Sequence, residues 1–104
     1  MTHQLIALYN HPVDVGAFDD HYEKTHSQLA LTLPGLRSFT VSRPGPDAQG
    51  SPPAYYLVAV LTFDDAAALG AAMAGPEGQA TAGDLANFAG AGVALLDGDT
   101  VVYL

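Results

Sequence analysis

Between Asp14 and Gly35, apolar and aromatic side chains recur at Val15, Phe18, Tyr22, Leu29 and Leu33. At roughly 100° per residue these fall within about one 60° sector, so the spacing predicts a single long amphipathic helix. Asp14 marks its start, and the acidic residues that follow suit the positive end of a helix dipole. Pro34 disfavours helix at Leu33, and Gly35 suits a tight exit. His26 lies in the apolar sector, one turn after Tyr22 and one turn before Leu29 or Ala30. An ionisable imidazole thus stands where the pattern asks for a core residue. His21, Glu23, Lys24 and Gln28 project elsewhere, as a solvated face should. His26 is the first candidate for chemistry.

With 104 residues, the chain is expected to form one domain spanning residues 1–104. A hydrophobic fraction of 49% and a charged fraction of 13% suit a buried core. Three basic residues face eleven acidic ones, a net charge of −8. Such a chain repels phosphate backbones and anionic lipid, so nucleic acid and membrane surfaces are not expected partners. The absence of cysteine removes thiolate nucleophiles, disulfides and Cys-based metal or iron–sulfur sites. The first residues hold a single short apolar run and no basic region, so no signal peptide is expected, and no run approaches the roughly 18 to 20 apolar residues of a membrane span. The expected compartment is the cytoplasm.

In chain order, Leu5 to Tyr9 reads as a strand apolar on both faces. The long helix follows, then a strand over Leu36 to Arg43 with Phe39 and Val41 on its more apolar side. Pro44 to Pro53 is a loop. Ala54 to Phe63 is the strongest strand of the sequence. Asp64 is expected to cap a helix to about Met73, and Pro76 to open another to about Phe88. Val93 to Leu96 and Val101 to Leu104 read as two extended segments around an Asp97-Gly98-Asp99 turn or bulge. The order βαββαβ is the split βαβ, ferredoxin-like arrangement of the α+β class, with four antiparallel strands and helices on one face. The uncovered face would expose more apolar surface than a soluble monomer tolerates, so a homodimer with sheets packed face to face is expected.

The run from Phe18 through Asp19, Asp20, His21, Tyr22, Glu23, Lys24, Thr25, His26, Ser27, Gln28 and Leu29 to Ala30, with Leu33-Pro34-Gly35-Leu36-Arg37 after it, resembles the EthD family. The resemblance implies a dimeric α+β barrel and an association with oxidative breakdown of small organic compounds. It matches His26 to the family's helix histidine, Phe18 and Tyr22 to its aromatic positions, and Leu33, Pro34 and Gly35 to its helix stop. The wider barrel superfamily holds cofactor-free monooxygenases, lactone isomerases, haem-degrading enzymes and small-ligand binders, so the fold does not select the chemistry.

His26 is therefore expected to act as a general acid/base in a cavity between helix and sheet; the alternative is a core histidine held by one hydrogen bond. Its ordinary titration near pH 6.5 suits proton transfer from a weakly acidic phenol or lactone. Tyr22 could orient His26 or bind a substrate oxygen, or serve as a core aromatic. Tyr9, Phe18, Phe39 and Tyr56, with Tyr55 and Phe63, would wall a pocket for a small planar or apolar ligand, with Tyr22 and Tyr56 orienting it. Arg37 and Arg43 share a strand parity and could hold an anion or pair with surface carboxylates. No metal site is expected: His21 and His26 stand five residues and roughly 140° apart on a regular helix, His3 and His11 lie at opposite ends of the first strand, and no carboxylate–histidine cluster is evident. No cofactor is expected either, haem ligated by His26 being the alternative. Nucleotide-cradling and nucleophile motifs are absent. The leading expectation is cofactor-free oxidation or a proton-transfer rearrangement of a small apolar oxygen-bearing compound. The other is a binder that assists an oxygenase.

Overall fold

Alternating side chains decide the architecture. In Leu57–Phe63 (β3), Leu57, Ala59, Leu61 and Phe63 are buried while the residues between them are half-buried. In Thr2–Tyr9 (β1), His3, Ala7 and Tyr9 are buried on the same side, with half-buried residues on the other. Within the single chain the first strand is thus buried on one side and half-buried on the other. A computed structural model of all 104 residues places these strands antiparallel at the centre of a four-stranded sheet. Ser38–Ser42 (β2) flanks β3, and Val93–Thr100 (β4) flanks β1, in the order β2-β3-β1-β4. This is the ferredoxin-like α+β arrangement expected from the element order. Register pairs Tyr9 with Leu57 and Val93, so both apolar faces align.

Several boundaries differ from expectation. The first strand begins at Thr2, whereas β2 and β3 are shorter than their apolar runs. The last strand continues through Asp97-Gly98-Asp99 because Leu5, Gln4 and His3 of β1 pair with these residues in unbroken register. No turn forms there, and residues 101–104 carry no regular structure.

Helical backbone runs from Val15 to Ala30, three residues short of Leu33, in three parts. Val15–His21 (α1) begins where the Asp14 side chain accepts the Ala17 N–H at 3.0 Å, an N-cap. Ser27–Ala30 (α2) ends where Thr32 closes on the Leu29 carbonyl through both its N–H and its hydroxyl. Between them, Tyr22–His26 is a π-helical turn, and the Ser27 N–H bonds the Tyr22 carbonyl five residues back. The wider turn moves the core register to Phe18, Tyr22, His26, Ala30 and Leu33. Ala30 takes the buried place expected of Leu29, and Val15 is exposed.

After β3, Ala66–Ala74 (α3) is capped by Asp65, not Asp64, through the Ala68 N–H at 2.8 Å. Pro76–Phe88 (α4) opens with its proline at a position where no intrahelical donor is needed. All helices lie on one sheet face, and the core between them is anchored by Tyr9, Leu57 and Phe63. Burying each such aliphatic or phenyl group contributes about 1.5–3 kcal/mol.

The α3–α4 corner depends on close backbone approach. A Cβ at Gly78 would stand 2.3 Å from both the Ala72 carbonyl oxygen and the Met73 Cα, while one at Gly70 would meet nothing within 4 Å. Gly78→Ala should therefore destabilise the protein by about 1–3 kcal/mol through overpacking. Gly70→Ala, inside α3, should stabilise it by roughly 0.5–1 kcal/mol. Urea denaturation of both variants checks the opposite signs.

Candidate functional site

Asp84 lies on α4 with Gly78 and Thr81, all on its buried face. A carboxylate there is costly unless donors surround it. Its oxygens receive the His21 Nε2 at 2.9 and 3.0 Å, the His26 Nδ1 at 2.9 Å and the Asn87 Nδ2–H at 2.9 Å. Asp84 and His26 are each 5% exposed. On a regular helix His21 and His26 would diverge; the π-helical turn between them brings both to one carboxylate. The expectations that His21 projects onto the solvated face and that the chain holds no carboxylate–histidine cluster are thus corrected.

With its Nδ1 at Asp84, His26 turns Nε2 toward the Tyr9 hydroxyl, 3.4 Å away. The contact is at the long limit for a hydrogen bond. His26, Tyr9, Tyr22 and Phe39 line one cavity between helices and sheet, closed mostly by Leu, Ala and Met side chains. Its volume is about 50 Å³, enough for a few water-sized groups and well below the roughly 300 Å³ of a drug-sized ligand site. Leu95, half-exposed, stands at the cavity's edge.

Phe18 and Tyr56 stand apart from this cavity. Phe18 packs edge-on against Tyr9, with ring centroids 5.5 Å apart, and lines a second, surface cleft with His21. The Tyr56 hydroxyl donates to Asp19 at 2.8 Å and accepts from the Arg43 guanidinium at 2.8 Å. Arg43 also bonds Asp19, and Arg37 bonds Asp64 through two nitrogens. Both arginines are surface partners of carboxylates. Phe63 is sealed in the core.

Burial lowers the His26 pKa from its ordinary 6.5, an effect that the hydrogen bond to Asp84 only partly offsets. Burial alone would raise Asp84, but hydrogen bonds from Asn87, His21 and His26 bring it below its ordinary 3.8. Burial also pushes Tyr22 up to about 12 and Tyr9 higher still, so both phenols keep their protons. The site at neutral pH is a neutral imidazole against a carboxylate, with the Tyr9 phenol facing its open nitrogen and the Tyr22 ring on the same cavity wall. That arrangement can accept a proton at Nε2 and hold the resulting imidazolium.

A second histidine cluster sits at the far end of β1. The His3 Nδ1 meets Asp99 at 2.9 Å and its Nε2 meets Asp97 at 2.7 Å, and these bonds raise the His3 pKa above 6.5. Here too carboxylates and a histidine meet against expectation, brought together by the β1–β4 register. No group of three or more His, Cys, Asp or Glu residues is arranged to hold a metal ion; His21 and His26 aim their nitrogens at Asp84 oxygens.

Fold and site define an α+β protein with a ferredoxin-like sheet and a buried histidine–carboxylate pair beside a small apolar cavity. The EthD domain model matches residues 10–92, and the chain belongs to the EthD family. It is 40% identical over 102 residues to an uncharacterised 11.0 kDa protein of Rhodococcus erythropolis from the thcB-thcC intergenic region, covering 96% of this chain and 98% of the other. The crystal structure of an ethyl tert-butyl ether d (EthD) family protein from Bacillus halodurans C-125 superposes with a TM-score of 0.91 at 39% identity, over 97% of this chain and 100% of that one. A dimeric ferredoxin-like protein from Jannaschia sp. CCS1 shares the fold with a TM-score of 0.68 at 27% identity, over 96% and 100% of the two chains. SnoaB, a cofactor-independent oxygenase of Streptomyces nogalater, shares it with a TM-score of 0.67 at 18% identity, over 99% and 95%.

Asp84 escaped sequence reasoning although the signal was present. It stands three residues after Thr81 and four before Phe88, on one helical face with them, but only Phe88 of these is apolar, so the signal was weaker than the one that singled out His26.

NMR titration should place the His26 midpoint below 6.5 and that of His3 above it. A depressed His26 stabilises the fold fully above pH 6.5, and this is lost as pH falls from 6.5 through its folded value. A raised His3 works oppositely: its contribution is present below pH 6.5 and disappears as pH rises through its folded value. The stability difference between wild type and His3→Gln should therefore fall to a pH-independent remainder as pH rises through the folded His3 value. Asp84→Ala leaves buried imidazole donors without an acceptor and should cost about 1–3 kcal/mol by urea denaturation.

Proposed function

We propose that the protein acts on a small, apolar, oxygen-bearing organic compound by proton transfer at His26. The observation that carries this reading is the bond from His26 Nδ1 to buried Asp84. It leaves the Nε2 lone pair facing the Tyr9 hydroxyl, on the wall of an apolar cavity that Tyr22 also lines. A substrate O–H or activated C–H gives its proton to Nε2, and the electron pair stays on the substrate as a phenolate or enolate. Tyr9 and Tyr22, held protonated by burial, donate to the developing oxyanion. Asp84 stabilises the imidazolium. The anion then either takes a proton at another atom, an isomerisation, or reacts with dioxygen as co-reactant, a cofactor-free oxidation. SnoaB's cofactor independence supports the second route by analogy of fold alone.

A second reading, a carrier of such a compound for an oxygenase, draws support from the small and almost wholly apolar cavity. Under either reading we place the working unit as a homodimer through the open sheet face. There Ile6, Leu8, Val58 and Val60 form a continuous patch, with Ile6 opposite both Val60 and Leu96. The dimeric Jannaschia protein supports this.

A thermal-shift screen of small phenols, quinones, lactones and haem against wild type and His26→Gln tests the site. The expected result is a ligand class that stabilises only the wild type. Its turnover should rise with pH through the His26 folded pKa, below 6.5, and vanish in His26→Gln. Binding without turnover supports the carrier; binding indifferent to His26 removes the site. Val60→Lys should convert a dimer to a monomer in sedimentation equilibrium, and an unchanged mass would move the interface elsewhere.

A further inference from the structure

We propose that His21 is the proton port of this site, linking the His26 base to solvent through Asp84. The inference rests on the proposed proton transfer at His26. A base in an apolar cavity must discharge the proton it receives. Apart from His26 itself, the Tyr9 and Tyr22 hydroxyls and Thr81, the residues around that cavity are apolar, and both phenols are held protonated by burial. The back of the imidazole offers a polar route. His26 Nδ1 stands 2.9 Å from Asp84 Oδ2, and His21 Nε2 stands 3.0 Å from the same oxygen and 2.9 Å from the other. The His21 side chain is 28% exposed, against 7% for His26 and 5% for Asp84. It lines a separate surface cleft of about 380 Å³ with Asn87 and Phe88. One imidazole is thus at the cavity, one at solvent, and a single carboxylate joins them.

The transfer is balanced without a further reactant. His26 takes the substrate proton at Nε2 and passes its Nδ1 hydrogen to Asp84 Oδ2. Asp84, the neutral acid only in transit, gives that hydrogen to Nε2 of His21 in its Nδ1–H tautomer. His21 releases the Nδ1 hydrogen to water in the cleft. In the reverse direction His21 takes a proton from cleft water at Nδ1 and returns its Nε2 hydrogen to Asp84, which reloads His26 Nδ1 as the His26 Nε2 hydrogen goes to product. The groups facing this line are Asn87 from α4 and Tyr9 and Tyr22 on the cavity side; none of them connects His26 to the cleft.

The test measures exchange of the His26 Nδ1 hydrogen with water by nitrogen-edited NMR with water saturation. His21→Gln keeps an N–H donor for Asp84 but cannot relay a proton. His21→Phe keeps the ring that stacks on Phe88 at 5.1 Å. Both should slow the exchange at least tenfold, and added imidazole should restore it in His21→Ala by filling the space left. Wild-type exchange in His21→Gln would reduce His21 to a positioning residue and overturn the proposal. Exchange as fast or faster in His21→Phe, a sign of opening elsewhere, would overturn it as well. Ligand screening of the same variants separates the two ideas: slowed exchange with no His26-dependent ligand leaves the relay standing and removes the catalytic reading.

Discussion

A single buried carboxylate organises the functional half of this protein. Asp84 is nearly inaccessible to water, and three donors surround it: two imidazoles from the first helical segment and one amide from its own helix. Leaving any buried donor or acceptor unpaired costs more than a made hydrogen bond contributes. The carboxylate therefore specifies where α4 sits against the first helix, with the ring of Phe88 packed 4.7 Å from that of His26. It also determines which His26 nitrogen is open to the cavity. Packing and chemistry rest on the same contacts.

The π-helical turn is the device that makes this possible. A regular helix cannot present residues five apart to one partner, because five steps overshoot a turn. One wider turn, closed between Tyr22 and Ser27, places His21 and His26 on the same side. Such turns often occur at functional sites. Here the gain is concrete: two imidazoles reach the two oxygens of one buried acid, one from the cavity side and one from solvent.

Much of the architecture was legible in the residues. The βαββαβ order, the helix carrying His26 on its core face, the Pro76 helix start and the one-sided helical layer all followed from periodicity and punctuation. The misses have physical causes. Asp97-Gly98-Asp99 looks like a turn by local chemistry, yet pairing with β1 holds it extended. Tyr56 looked like a cavity residue because its neighbours form a strand, but the strand begins at Leu57 and the Tyr56 hydroxyl serves an Asp19–Arg43 cluster instead.

By itself the sequence determined the kind and order of the elements and most of their apolar faces, because hydrophobic spacing matches either the helical or the strand repeat and each repeat presents one face. It also marked His26 as an imidazole on a buried face, whereas the burial of Asp84 emerged only with the structure. Only the tertiary structure decided that the faces carrying these two residues meet. Residues separated by 58 positions come together through the crossing of α4 over the first helix, and neither helix carries a local signal of that crossing. The partner of a buried charge is chosen by packing across the core, so its identity becomes visible only when the helices are laid on the sheet.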